Sequence, residues 1–379
     1  MSPSAIPSGS PDAAGSGSPD LFASSYEPER GPDGGLLVIG DWQEATQLNP
    51  YYVAQVTEAN VAALAWHTLV TISHDFRYVP QLAAAPLPSV ENGGVLAPGT
   101  GGDAMTVKWA LRPGLRWSDG VPLACDDFRY AWEWVTDPAN AGVVTAGFED
   151  ISGIDCPSDT SMVWHFRRVY EGYLTLMTAP LPRHVLASIR IADQVNGAGF
   201  RPGEVPDMPV SGPFRFESVT PQAELRLARN AYYANPRTGT PAALDGIVFK
   251  WYADPDAMIA GFRNGETDLV YGLAEGDLPK VQDLGSAVVP ITSLTYEFLR
   301  PNWSPADDFD AVLKNGGCSR NVRIADRGPG CPMADPAIRE AVAYAIDKSE
   351  INTRLLDGNG QVANSNVTPS AWFYADQPP

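Results

Sequence analysis

The chain has 379 residues, 44% apolar and 10% aromatic, enough to bury more than one hydrophobic core and to form about two or three domains. Twenty-six Lys and Arg against 45 Asp and Glu leave a net charge of −19, which excludes nucleic acid and anionic membrane surfaces as expected partners. With 35 Gly and 35 Pro the chain is loop-rich, yet too apolar to be disordered throughout.

From Met1 to Gly34, 8 Ser, 6 Pro and 5 Gly make up most of the sequence. Such a segment cannot bury enough apolar surface to offset its ordering entropy and reads as a linker. It has no apolar signal-peptide core, so an export signal and a lipid anchor are expected upstream. No stretch has the roughly 20 apolar residues of a bilayer span. The best run, Val61 to Ile72, is broken by Trp66-His67-Thr68 and is expected to be a buried amphipathic helix, with Val61, Leu64, Ala65, Thr68 and Leu69 at helical spacing.

Leu36 to Ile39 reads as a buried strand leading into Asp41–Pro50, where the proline ends any regular element. Thr106 to Trp117 reads as a strand broken at Pro113-Gly114, followed by a turn at Ser118-Asp119-Gly120. Phe128, Ala131, Trp132 and Val135 then mark a helix, with Asp126 and Asp127 complementing the dipole of its first turn. Phe214–Glu217 and Glu224–Leu227 flank Thr220-Pro221-Gln222-Ala223 as a hairpin. Gly246–Trp251 is a strand, Asp254-Pro255 opens a helix that Gly265 closes, and Asp268–Tyr271 is a further strand. Asp335-Pro336 opens a helix with Ile338, Ala341, Val342, Ala345 and Ile346 on one face, and Ser349 is expected to cap another that runs to Gly358. Strands and helices mixed without strict βαβ rhythm indicate an α/β or α+β chain of several domains.

Four cysteines are present, with no CxxC and no metal-ligand spacing to the four histidines. Cys318 and Cys331 bracket a polar insert and are the natural first disulfide; Cys125–Cys156 is then the second by elimination, one of three possible pairings. An even count suits an oxidising compartment outside the cytoplasm.

No GxSxG, GxxxxGK[ST], HExxH or GxGxxG occurs. Asp126-Asp127 and Asp307-Asp308 read as a helix start or a solvated face, and His67 and His165 as hydrogen-bonded core histidines rather than bases. The chain is therefore read as a non-enzyme with no metal and no cofactor.

Three blocks, in order, carry a family resemblance. The first is Leu115-Arg116-Trp117-Ser118-Asp119-Gly120-Val121-Pro122-Leu123-Ala124-Cys125-Asp126-Asp127-Phe128. The second is Ser211-Gly212-Pro213-Phe214 with Leu225–Tyr233, Leu244–Trp251 and Gly265–Leu269. The third is the helix from Ile338 to Lys348. Together they resemble the family 5 extracellular solute-binding proteins, the oligopeptide- and dipeptide-binding components of bacterial ABC importers. Leu48-Asn49-Pro50 and Pro80–Ala83 are weaker matches. Ala124 departs from the family's usual threonine cap, and the Cys318–Cys331 insert looks like a subgroup feature.

The resemblance implies an α/β, two-lobed, periplasmic-binding-protein-like clamp of the type II, three-domain form, with the C-terminal lobe incomplete after Pro379. Residues 35–55 and 166–290 would form domain I of lobe one, 56–165 the inserted domain II, and 291–379 the start of lobe two. It further implies that the protein captures peptides by lobe closure and delivers them to a membrane permease and its ATPase, as a monomer at the cell surface or in the periplasm. An oligosaccharide, a nickel chelate or another small solute is the alternative ligand, and an extracytoplasmic hydrolase the alternative activity. By matching position, the ligand would meet the strand edge Glu44, Ala45 and Thr46, the turn at Tyr271 and Gly272, and the crossing strand Thr295, Tyr296, Glu297 and Phe298. Trp117, Trp132 and Trp134 are read as packing.

Overall fold

The computed structural model describes residues 22, 30–73, 77–140, 143–176, 178–289, 298, 305–306, 318–319, 336–356, 358–365 and 367–368. Two compact units divide the chain, one of Ser16–Gly272 and one that takes in Leu273–Pro379.

Among the described residues the first unit is built on two main sheets and a two-stranded ribbon. The larger has the order β11–β1–β10–β9–β8. Strand β1 (Leu36–Asp41) runs parallel to β10 (Gly246–Trp251) on one side and to β11 (Leu269–Val270) on the other. The apolar runs of β1 and β10 suit a strand with neighbours on both sides and cover on both faces. Helix α3 (Pro255–Arg263) makes the crossover from β10 to β11. Its start follows from Asp254, whose carboxylate accepts the Ala257 N–H at 2.8 Å, and from Pro255 at the first helical position. The predicted hairpin forms as β8 (Phe214–Thr220) and β9 (Glu224–Arg229), antiparallel to each other, with β9 next to β10.

The smaller sheet has the order β4–β5–β7–β6, with β4 (Val95–Leu96), β5 (Met105–Ala110), β6 (Ile151–Ser158) and β7 (Ser161–Phe166) all antiparallel. Helix α2 (Cys125–Thr136) is joined to β6 by the Cys125–Cys156 disulfide. Trp117, Trp134, Trp164, Phe128 and Phe166 are fully buried. Trp117 also donates to the Asp127 carboxylate at 3.1 Å, and that carboxylate accepts the Ala124 N–H at 3.0 Å and the Arg183 N–H at 3.2 Å. Burial pushes the Asp127 carboxyl up, and these bonds act against that rise. The first sequence block is thus a packing and capping device.

Ala124 is the N-cap residue of α2, in extended conformation and with no side chain to accept a helix N–H. Ala124→Thr is expected to raise stability by about 1 kcal/mol, the usual worth of a cap, read as a higher urea midpoint; an unmoved midpoint would count against a missing cap.

The stretch predicted as one helix from Val61 to Ile72 divides in two. Helix α1 (Val56–Ala65) stops at Trp66, and Val70–Ile72 forms β2, antiparallel to β3 (Tyr78–Pro80). The Gln81 side chain accepts the Thr68 N–H at 3.0 Å and the Gln81 N–H reaches the Leu69 carbonyl at 3.0 Å, pulling the chain out of helical register. Leu69 and Val70 stay buried, so apolarity alone could not tell the two outcomes apart.

The second unit contains α4 (Pro336–Ala345) and α5 (Lys348–Leu355). The cap of α5 is Asp347, whose carboxylate accepts the Glu350 N–H at 2.8 Å, and not Ser349, which lies inside the first turn. The helix ends at Leu355, short of Gly358. Neither helix buries a residue among the described ones. Cys331 lies outside the described residues, as does any account of its pairing with Cys318.

Candidate ligand-binding edge at the carboxyl ends of β1 and β11

Open α/β sheets bind ligands beyond the carboxyl ends of their parallel strands. In the first unit those ends are Asp41, Trp251 and Val270. Asp41 is 2% exposed. One of its carboxylate oxygens accepts the Gln43 N–H at 2.9 Å, and the other accepts the Thr57 hydroxyl at 2.5 Å and the Tyr271 hydroxyl. Burial first, then the bond to Asp41, pushes the Tyr271 phenol up to about 12, so it stays a donor at neutral pH.

A second buried carboxylate, Glu58 in the first turn of α1, lies 17 residues further along the chain. Its oxygens accept the Thr46 hydroxyl at 3.1 Å and the N–H groups of Gln47, Ala54 and Gln55 at 3.0, 2.9 and 3.2 Å. Between the anchors at Gln43 and Gln47 lie Glu44, Ala45 and Thr46. Among the described residues, no hydrogen bond reaches their main-chain N–H or C=O groups, although Ala45 is buried. A run of unpaired main-chain groups is a template for another extended strand.

The structure therefore brings Tyr271 and the run from Glu44 to Thr46 to the same end of the sheet. The Glu44 carboxylate accepts the Gln222 N–H at 3.0 Å, which ties the β8–β9 turn to this edge. Gln222 itself has φ of 61°, a conformation that a side chain disfavours. Gly272 is exposed with φ of 72°. Thr295, Tyr296 and Glu297 lie outside the described residues; Phe298 is exposed and belongs to the other unit.

Sequence reasoning missed Asp41, Thr57 and Glu58. The spacing of Gln55 and Glu58 matches a capping box and was the one available signal. The two histidines also differ from expectation. His67 is buried in the core, but its Nδ1 has no hydrogen-bond partner. His165 is not a core residue; it sits between Asp103 at 2.6 Å and Asp155 at 3.2 Å.

The second sequence block packs here too. Gly212 N–H donates to the Ala65 carbonyl at 2.8 Å, and a Cβ on Gly212 would lie 2.6 Å from the Leu64 carbonyl oxygen, so only glycine fits. Ser211 Oγ accepts the His67 N–H at 3.0 Å, and Asn230 Nδ2 donates to the Gly212 carbonyl at 2.9 Å.

A second concavity of the same unit is an apolar groove of about 360 Å³ whose lining includes Tyr51, Ala59, Ala62, Trp66, Phe148 and Leu176. Among the described residues there is no group of three His, Cys, Asp or Glu placed to hold a metal ion, and no helix long and apolar enough to cross a membrane.

Comparison with known proteins agrees with this architecture. The oligopeptide-binding protein AppA of Bacillus subtilis is 22% identical over 355 residues, which cover 93% of this chain and 56% of AppA. A Mycobacterium tuberculosis protein, LpqW, named as a probable monoacyl phosphatidylinositol tetramannoside-binding protein, is 29% identical over 385 residues, covering 92% of this chain and 55% of LpqW. The chain thus spans about half the length of the curated relatives it matches. Among solved structures, AppA in complex with a nonapeptide superposes with a TM-score of 0.70 at 20% identity, covering 91% of this chain and 60% of AppA. NikZ of Campylobacter jejuni in complex with Ni(L-His) gives 0.62 at 19% identity, with 87% and 57% covered. These likenesses show the α/β fold of solute-binding proteins. The model of the bacterial extracellular solute-binding proteins, family 5 Middle, matches residues 77–379, and the chain belongs to that family.

Proposed function

We propose that the protein is the solute-capturing component of an ABC importer that takes up peptides, working outside the cytoplasm, lipid-anchored and monomeric, and handing its ligand to a permease and ATPase complex. It binds its ligand without cleaving it. The boundaries expected for lobe one, 35–55 with 166–290 and the inserted 56–165, belong to this proposal. The observation that carries the reading is the unpaired main-chain run from Glu44 to Thr46 at the carboxyl ends of β1 and β11. Such a run holds an extended ligand through backbone hydrogen bonds and leaves its side chains unread, which suits a carrier of many peptides. The complex of AppA with a nonapeptide and the disulfide, a bond suited to an oxidising compartment, both favour it.

Native mass spectrometry of the gently purified protein, followed by titration of labelled peptides, tests the reading. Carried-over masses spread across many peptide sizes are expected. Thr46→Pro removes one N–H from the edge together with the hydroxyl bonded to Glu58, so Thr46→Val, which loses the hydroxyl alone, is its control. The proline variant is expected to weaken peptide binding about tenfold, the worth of one hydrogen bond. Equal affinity in wild type and variant would remove the edge from the site, and steady release of fragments in a time course would favour a hydrolase.

A second reading, capture of an acylated glycolipid, is favoured by the apolar groove beside α1 and by the ligand for which LpqW is named. A single lipid mass on the purified protein would select it.

A further inference from the structure

We infer that Glu58 is a positioning residue, which holds the run from Glu44 to Thr46 in its ligand-ready form; the inference rests on the peptide-binding reading. Glu58 is 1% exposed. A carboxylate offers about four acceptor positions. Glu58 fills them with the Thr46 hydroxyl and the N–H groups of Gln47, Ala54 and Gln55. No acceptor is left for a ligand atom, so its role passes through the chain it holds. Its place in the first turn of α1 sets a negative charge where the helix dipole favours one.

The pattern of these bonds matters more than their number. Glu58 takes donors from the middle of the loop between β1 and α1 and from its last two residues, while Asp41 fixes Gln43 and, through Thr57 and Tyr271, ties the loop's entry to α1 and to the end of β11. Both carboxylates use donors on either side of the edge, plus the Thr46 hydroxyl, and leave the main-chain groups of Glu44, Ala45 and Thr46 unused. The edge is therefore anchored at both ends before a ligand arrives. Without the anchors, each binding event would have to order that segment at the expense of affinity.

Glu58→Gln keeps the size but replaces one acceptor oxygen with a donor, so two of the four donors lose their partner. Thr46→Val removes a single bond from an exposed side chain and keeps the test open should the first variant fail to fold. Amide order parameters and peptide affinity are to be measured on the full chain for wild type and both variants. In the wild type, Glu44–Thr46 should have order parameters of about 0.85, falling below about 0.6 in Glu58→Gln, with a smaller drop in Thr46→Val. Peptide affinity should fall about tenfold in Glu58→Gln, the fold-change of one charge-assisted hydrogen bond. Low order in the wild type, or order and affinity unchanged in both variants, overturns the inference while leaving peptide binding in place. Order that falls as expected in a protein that binds no peptide supports the positioning role and overturns the peptide reading instead.

Discussion

Replacing Cys125 and Cys156 together by alanine is expected to lower the unfolding free energy by about 3–4 kcal/mol, the chain-entropy value for a loop of this length. The two residues are 31 apart in sequence, and their bond ties the first turn of α2 to β6. Locally this tie stands in for a weak helix start, since Ala124 gives α2 no side-chain cap. Cys125 is fully buried and Cys156 only partly so, so a reductant acting on the folded chain should attack at Cys156. Urea unfolding followed by tryptophan fluorescence measures the loss, and Cys125→Ala alone should lose as much as the double variant. A slightly larger dependence on urea is also expected, because the unfolded chain without the cross-link is less compact. A double variant that unfolds at the wild-type midpoint would mean that the bond constrains neither state.

Elements whose signals are local were legible in the sequence. Asp254-Pro255 carries both a cap and a preset φ, and α3 starts there; Thr220–Ala223 breaks an alternating pattern, and the hairpin turns there. Failures came where distant residues decide. Leu69 and Val70 are apolar in either conformation, and the contacts of Thr68 and Leu69 with Gln81, together with the pairing of β2 with β3, make their segment extended. At α5, Asp347 and Ser349 are both good caps, and two residues separate the two choices. The ligand edge came from the family resemblance at Glu44, Ala45 and Thr46, whereas its supports, Asp41 and Glu58, are ordinary acids among 45. What singles them out is burial against a cluster of donors, of which the sequence records only the capping-box spacing of Gln55 and Glu58. His67 was placed correctly in the core by its apolar neighbours, but a missing partner at Nδ1 is a fact of packing alone.

That missing partner has a measurable consequence. Lowering the pH from 6.5 to about 4 should remove stability through His67, because burial, and secondarily the positive charge of Arg112, lowers its imidazole from 6.5 to about 4. The unfolded chain takes up a proton near pH 6.5, and the folded chain does so only near 4. Between those values the unfolded state binds more protons, so stability rises with pH; the contribution is complete above 6.5 and lost as pH falls through 4. A shift of this size corresponds to about 3 kcal/mol. The surroundings offer no relief, since the Ser211 hydroxyl is engaged with the His67 main chain, and Arg112 donates to the carbonyls of Gln81 and Ala234 with no carboxylate beside it among the described residues. Urea midpoints measured from pH 7 to 4 on wild type and His67→Phe isolate the effect, because every other titrating group is common to both. The variant, whatever its stability at pH 7, should lose less than the wild type as the pH falls. Parallel curves would mean that a protonated His67 finds a partner in the folded core.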